Sequence, residues 1–227
     1  TTLGQHGDWM FNLVRTSTEG KPQTGISFLL LDMKSKGVTV RPIKLLDGEC
    51  EVNEVFFDNV EVPAENLIGE ENKGFRIILD GMNSERILLS HESLGDCRYF
   101  IEKAVAYAKE RVVFGRPIGK NQAIQHPLAE SWMALEAANL MTFKAAWLYD
   151  NGKPCGREAN TAKYLCADAG FEAADRALQT HGGMGYSEEY NVARYFREAR
   201  LTRIAPVSQE MILNYLSSHV MGLPRSY

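Results

Sequence analysis

The apolar residues of this chain keep one period before Gly74 and another after it, which restricts the fold to two unlike parts. Ahead of Gly74 the apolar runs are short, branched and aromatic. Residues 9–15 (WMFNLVR), 25–32 (GISFLLLD), 38–46 (VTVRPIKLL) and 51–60 (EVNEVFFDNV) are separated by breaks rich in Gly, Lys and Asp. Such side chains fit a pleated surface, and Val38, Val40 and Pro42 alternate with the period of two that a half-buried strand requires. Pro42 belongs at an edge or a bulge, because it has no N–H to give to a ladder. After Gly74 the steps lengthen to three and four. Residues 75–111 carry Ile77, Ile78, Leu79, Met82, Ile87, Leu88, Leu94, Ile101, Val105 and Ala108, and residues 122–150 carry Trp132, Leu135, Ala138, Met141 and Ala145. A third helical stretch over 158–180 runs into Gly182-Gly183, a strong helix stop. Two shorter helices are expected over 191–203 and 208–220. The pattern predicts a β domain over residues 1–68, a linker over 69–74, and an antiparallel helical bundle over 75–227.

Composition removes several classes of function. A chain of 227 residues, 44% hydrophobic and 24% charged, can bury a core without metals or disulfide staples. A net charge of -4 lacks the basic surplus of a nucleic-acid binder. No apolar run approaches the roughly 18 residues of a membrane span. Cys50, Cys97, Cys155 and Cys166 form no CxxC and have no obvious His partners, which reads as reduced intracellular thiols and no metal site. Residues 1–68 hold the whole net charge of -4, so the helical half is balanced. Its basic residues are available to a phosphate-bearing ligand, although a solvated helix surface accounts for most of them. The opening Thr1-Thr2-Leu3-Gly4-Gln5-His6 has neither an initiator Met nor a signal-peptide layout, and a strand pattern starts at Trp9. That start reads as a fragment of something longer.

Four segments hold residues suited to chemistry. In Arg111-Val112-Val113-Phe114-Gly115-Arg116-Pro117-Ile118, followed by Gln122, a guanidinium at a helix end suits a phosphate, or equally the helix dipole. In Gln179-Thr180-His181-Gly182-Gly183-Met184-Gly185-Tyr186, three glycines in four positions expose backbone N–H groups to a ligand; a helix cap and turn is the plainer reading. In Asn83-Ser84-Glu85-Arg86-Ile87, Glu85 and Arg86 point about 100° apart on a helix. A Glu among Ile, Leu and Met neighbours that is partly desolvated suits a general base, and a surface Glu is the alternative. In Arg203-Ile204-Ala205-Pro206-Val207-Ser208-Gln209-Glu210, Pro206 and Ser208 mark a helix start.

Taken in order, these segments and the landmarks Asp8-Trp9, Val55-Phe56-Phe57-Asp58-Asn59-Val60-Glu61-Val62-Pro63, Asn66-Leu67-Ile68-Gly69 and Lys73-Gly74-Phe75 resemble the acyl-CoA dehydrogenase family. The resemblance covers nearly the whole chain, and its order and spacing make it specific. It implies an α+β fold, with an N-terminally truncated antiparallel β domain followed by an antiparallel four-helix bundle, and a missing helical domain before it. It also implies FAD as cofactor. Thr2 matches the threonine that approaches the flavin N5 edge. Arg111 and Phe114 match positions that hold the pyrophosphate and adenosine across a dimer interface. Gln122, Gln179, Gly182 and Gly183 match contacts donated by a neighbouring subunit. Ser208 stands where the family has a Thr, and Glu210 replaces a polar residue two positions later.

The implied reaction is α,β-dehydrogenation of an acyl-CoA, in which a carboxylate takes an α-proton while a β-hydride leaves for the flavin. Many family members read Tyr-Glu-Gly-Thr where this chain has Ala205-Pro206-Val207-Ser208, so the usual base is absent. A minority branch takes the base from the long helix, at the position of Glu85, with the family Arg at Arg86. The α-proton is far too weakly acidic for a carboxylate unless hydrogen bonds stabilise the developing enolate. In the family one donor is the backbone N–H at the position of Pro206, which has none. The resemblance implies an acyl-CoA substrate, an electron-transfer flavoprotein as acceptor, a homodimer or homotetramer, and a cytoplasmic location, or the mitochondrial matrix in a eukaryote. An oxidase on the same scaffold, or a non-catalytic oligomerisation fragment, remains as an alternative.

Overall fold

A computed structural model describes residues 1–226. The chain forms two compact units, Thr1–Met82 and Asn83–Tyr227.

The first unit is built on small antiparallel ladders. β1 (Trp9–Arg15) pairs with β2 (Ile26–Asp32), with Trp9 opposite Asp32 and Leu13 opposite Phe28. β5 (Leu67–Ile68) lies against the other side of β2. β3 (Val38–Ile43) and β4 (Val52–Phe57) make a separate two-stranded ladder, in which Pro42 faces Asn53. With only two strands, that ladder gives Pro42 an edge to occupy, as expected. Phe11 and Phe28 stack with ring centroids 5.2 Å apart. The buried Ser27 hydroxyl accepts from the Asn72 N–H at 2.8 Å and lies 2.6 Å from the Thr16 hydroxyl. This ties the end of the β region to its middle strand. Gly74 has no room for a side chain there: a Cβ would come within 2.3 Å of the Phe28 nitrogen.

The second unit is helical. α1 (Gly74–Glu110) runs on from the first unit, and is followed by the short strands β6 (Val112–Val113) and β7 (Arg116–Pro117). Then come α2 (Gln122–Asp150), α3 (Gly156–His181), α4 (Val192–Ala199) and α5 (Gln209–Tyr215). Leu94, Cys97, Phe100 and Ala104 of α1 share one buried cluster with Leu128, Leu135 and Ala138 of α2. Cys166, Ala169, Ala173, Ala174 and Ala177 of α3 join it, as do Val192 and Ala199 of α4. The alanines of α3 let its neighbours approach closely, so one helix supplies the middle of the unit. At its start, Glu158 is buried and meets Lys144 of α2 at 3.3 Å and Arg157 at 2.7 Å.

Two of the expected helices are shorter than the apolar period suggests. Residues 191–203 divide into α4 and a 3₁₀ turn, Arg200–Arg203. There the Arg203 guanidinium lies 4.5 Å from the Phe171 ring centroid and meets Asp168 at 2.6 Å. Residues 208–220 divide into α5 and a π turn, Leu216–Val220. Pro206 lies before α5 and not in its first turn; Ser208 is the N-cap, accepting from the Met211 N–H at 3.4 Å. The four cysteines are free, three of them buried. Among the described residues no helix is long and apolar enough to cross a membrane, and no cluster of His, Cys, Asp and Glu suits a metal.

Candidate functional site

The residues singled out in the helical unit gather in two places. At one end, Arg111 directly follows α1, its N–H donating to the Tyr107 carbonyl and its own carbonyl accepting from Ile118, both at 2.9 Å. The hairpin between β6 and β7 turns on Phe114 and Gly115, with φ of 51° and 77°. A two-residue hairpin turn with positive φ at both positions normally takes Asn-Gly or Gly-Gly. Here the first of the pair is an aromatic ring that is fully exposed. Arg116 donates to Asn121 Oδ1 at 2.8 Å, which fixes the chain as it enters α2 at the exposed Gln122.

The end of α3 comes to the same place. His181 stacks on Tyr107, ring centroids 4.4 Å apart, and its Nδ1 lies 2.8 Å from the Ala177 carbonyl oxygen. Since Tyr107 is one turn before Arg111, this stack brings Gln179, Gly182 and Gly183 to the side of the hairpin. The three glycines of the motif then separate by role. Gly185 is a packing glycine, where a Cβ would lie 2.4 Å from the Leu178 carbonyl oxygen. Gly182, at φ 59°, and Gly183 have nothing within 4 Å of a Cβ, so their backbone stands open. A guanidinium, two carboxamides and open glycine backbone supply donors that suit a pyrophosphate, and the exposed Phe114 ring offers a face to an adenine.

The second group lies near the other end of α3. Arg86 on α1 donates to Asn83 Oδ1 at 3.1 Å, and its buried Nε has no partner among the described residues. Burial lowers the Arg86 pKa, while Tyr215 and Glu85 act to raise it. Glu85 is exposed, the surface position that was the alternative to a desolvated base: the turn of α1 that half-buries Arg86 leaves Glu85 outward. Ser208 caps α5. The Glu210 carboxyl is held below its ordinary value by its own backbone N–H and the Ser208 hydroxyl, with help from Arg200 and Lys163.

The motif reading missed Lys163. It is almost fully buried on α3, and its ammonium donates to the Thr202 carbonyl at 2.6 Å and the Val207 carbonyl at 2.7 Å. Burial brings its pKa down to about 8, with Arg86 pushing the same way and Glu210 opposing. The signal was present: Ala159, Lys163, Cys166 and Gly170 recur at helical spacing, and the other three are core residues. Lys163 and His181 are 18 residues apart on α3. At 1.5 Å per residue the two groups are thus separated by about 27 Å.

Thr2 belongs to the other unit, where it forms an isolated antiparallel bridge with Val52 and is exposed. Nothing in that unit gathers other singled-out residues around it.

Comparison with known proteins matches residues 72–221 to the model described as acyl-CoA dehydrogenase, C-terminal domain. The Mycobacterium tuberculosis protein named acyl-CoA dehydrogenase FadE12 is 45% identical over 176 residues, 77% of this chain and 45% of that protein. The short-chain specific acyl-CoA dehydrogenase, mitochondrial, of Rattus norvegicus is 34% identical over 245 aligned positions, covering 100% of this chain and 60% of that one. Among solved structures, butyryl-CoA dehydrogenase from Megasphaera elsdenii superposes with a TM-score of 0.91 at 34% identity, covering 97% of this chain and 58% of that chain. The chain spans about half the length of the curated relatives it matches.

Proposed function

This chain belongs to the acyl-CoA dehydrogenase family, and from that premise we propose that it serves the FAD-dependent α,β-dehydrogenation of an acyl-CoA thioester. The observation that carries the reading is the family match itself, which runs through every singled-out residue from Glu85 to Glu210. Glu85 is the proposed base and Arg86 the cation beside it. The Glu85 carboxylate takes the α-proton, and the exposed position of this side chain leaves it open to a substrate. When bound, FAD supplies the acceptor for the β-hydride at its N5. Arg111 and Phe114 are the proposed holders of the pyrophosphate and adenosine, with Gln122, Gln179, Gly182 and Gly183 completing that cradle. Ser208 and Glu210 are further proposed cofactor contacts. Thr2 stays a proposed flavin contact on the resemblance alone.

The separation of about 27 Å along α3 exceeds the reach from a flavin ring to its own pyrophosphate. The two groups of one chain therefore serve two different cofactors, and each cofactor needs a second subunit. The exposed face of α2 fits this, because Trp132, Leu140, Phe143 and Trp147 recur along it at helical spacing and are all more than half exposed. A homodimer, or a homotetramer of such dimers, is proposed. An electron-transfer flavoprotein is the proposed acceptor, and the cytoplasm or mitochondrial matrix the proposed compartment.

The test is anaerobic mixing of the holoenzyme with acyl-CoA substrates of graded length. Wild type should bleach the flavin absorbance with at least one of them. Glu85→Gln should retain FAD and acyl-CoA binding yet leave the flavin oxidised. Undiminished bleaching by Glu85→Gln would remove Glu85 from the role of base.

A further inference from the structure

Lys163 is in an expensive place. An ammonium moved from water into a helical core is strongly destabilising unless its protons are taken up by acceptors. A methionine of similar length would fill the same space at no such cost. The acceptors here are two backbone carbonyls, those of Thr202 and Val207, at 2.6 and 2.7 Å. They bracket the strip Arg203-Ile204-Ala205-Pro206, so one side chain from α3 closes both ends of the loop that leads into α5.

The loop is short of donors where the proposed chemistry needs one. Pro206 has no N–H. The Ile204 and Ala205 N–H groups are spent on the Leu201 carbonyl, at 2.8 and 2.9 Å. The Val207 and Ser208 N–H groups have no acceptor among the described residues. The carbonyl of Val207 and the N–H of Ser208 belong to one planar trans peptide, so they point in opposite directions. Drawing that carbonyl onto Lys163 therefore turns the Ser208 N–H away from α3. At the start of α3 the Tyr215 hydroxyl of α5 and the Asn83 carboxamide of α1 come within 2.7 and 3.9 Å of where a Gly156 Cβ would lie, so α5 sits beside the turn of α1 that carries Glu85.

We propose that Lys163 is a positioning residue for the dehydrogenation, clamping the Thr202–Val207 loop so that the Ser208 N–H takes the place of the donor missing at Pro206. The Ser208 N–H then polarises the thioester oxygen, and Lys163 acts only through it. This rests on the function proposed above.

The experiment compares wild-type holoenzyme with Lys163→Met, which keeps the length and removes the donors, and Lys163→Gln, which keeps two N–H donors and removes the charge. Amide hydrogen exchange is followed over residues 202–208, together with FAD content and the kinetics of acyl-CoA dehydrogenation. In Lys163→Met the loop should exchange about tenfold faster while the rest of α3 stays within about threefold of wild type. Its kcat should fall about tenfold or more with KM changed less than about threefold and FAD content unchanged. Lys163→Gln should recover loop protection and most of kcat. Unchanged loop exchange in Lys163→Met overturns the clamp. Lost protection with full kcat overturns its role in the reaction, and so does parallel loss of FAD, KM and kcat. If Lys163→Met does not fold, Lys163→Gln decides: a protected loop with wild-type kcat supports the proposal, and a protected loop with kcat below about a tenth overturns it. A wild type that binds FAD and acyl-CoA without reducing the flavin sinks the functional reading, while the exchange data still report on the clamp.

Discussion

Asp96 shows how a single ionisable group sets the pH response of the helical unit. It lies half-buried on α1, and burial, followed by the charges of Glu92 and Glu198, pushes its pKa up to about 6. A carboxyl raised in the folded state binds more protons there than in the unfolded chain. Its contribution is therefore fully present below about pH 4 and is lost as the pH rises through about 6. Asp96→Asn should make the protein more stable at pH 7, by on the order of 1–2 kcal/mol, with the advantage gone at pH 4. Urea unfolding of the two proteins at both pH values measures this, and equal stability at pH 7 contradicts it. Asp96 is not readable as perturbed from the sequence, and for Lys163 the only signal is its helical spacing with Ala159, Cys166 and Gly170. Burial at these positions depends on which face of a helix meets which neighbour, and α1 and α3 meet others on more than one face. Glu85 shows the opposite outcome, since apolar neighbours in sequence did not bury it.

The ends of the elements follow local chemistry, and α5 gives the most direct test. Its N-cap hydroxyl on Ser208 satisfies the Met211 N–H, and only one of its residues, Ile212, is fully buried. Ser208→Ala should cost about 1 kcal/mol and Ser208→Gly only a few tenths, measured by thermal unfolding of the cofactor-free chain. Equal loss in both variants would point to packing and not to capping. β1 and α2 begin and end at residues 9–15 and 122–150, as the sequence pattern indicates, because both are bounded by polar or glycine breaks and carry one clear period. β5 has two residues, too few to show any period. The 3₁₀ turn after α4 ends at Arg203, which meets Asp168, Glu172 and Phe171, all distant in sequence. Local pattern carries no trace of such partners.

At the scale of the whole molecule, the segments proposed to hold the cofactor and the base can be picked out in the sequence, but their separation cannot, because it depends on the length and direction of α3. That separation makes a prediction about assembly. If each reaction centre takes Glu85 from one chain and the cradle of Arg111, Gly182 and Gly183 from another, two differently damaged chains should complement. Glu85→Gln supplies an intact cradle. A chain carrying Arg111→Gln and Gly183→Val supplies an intact base but should not retain FAD on its own. Refolding or co-expressing the two in equal amounts gives mixed dimers about half the time, each with one centre whose base and cradle are both sound. Activity should therefore return to about a quarter of wild type per chain, although each variant alone is inactive. Kinetics on the mixture, with FAD content measured by absorbance, decides the matter. If base and cradle serve the same cofactor within one chain, every mixed dimer stays dead and no activity returns.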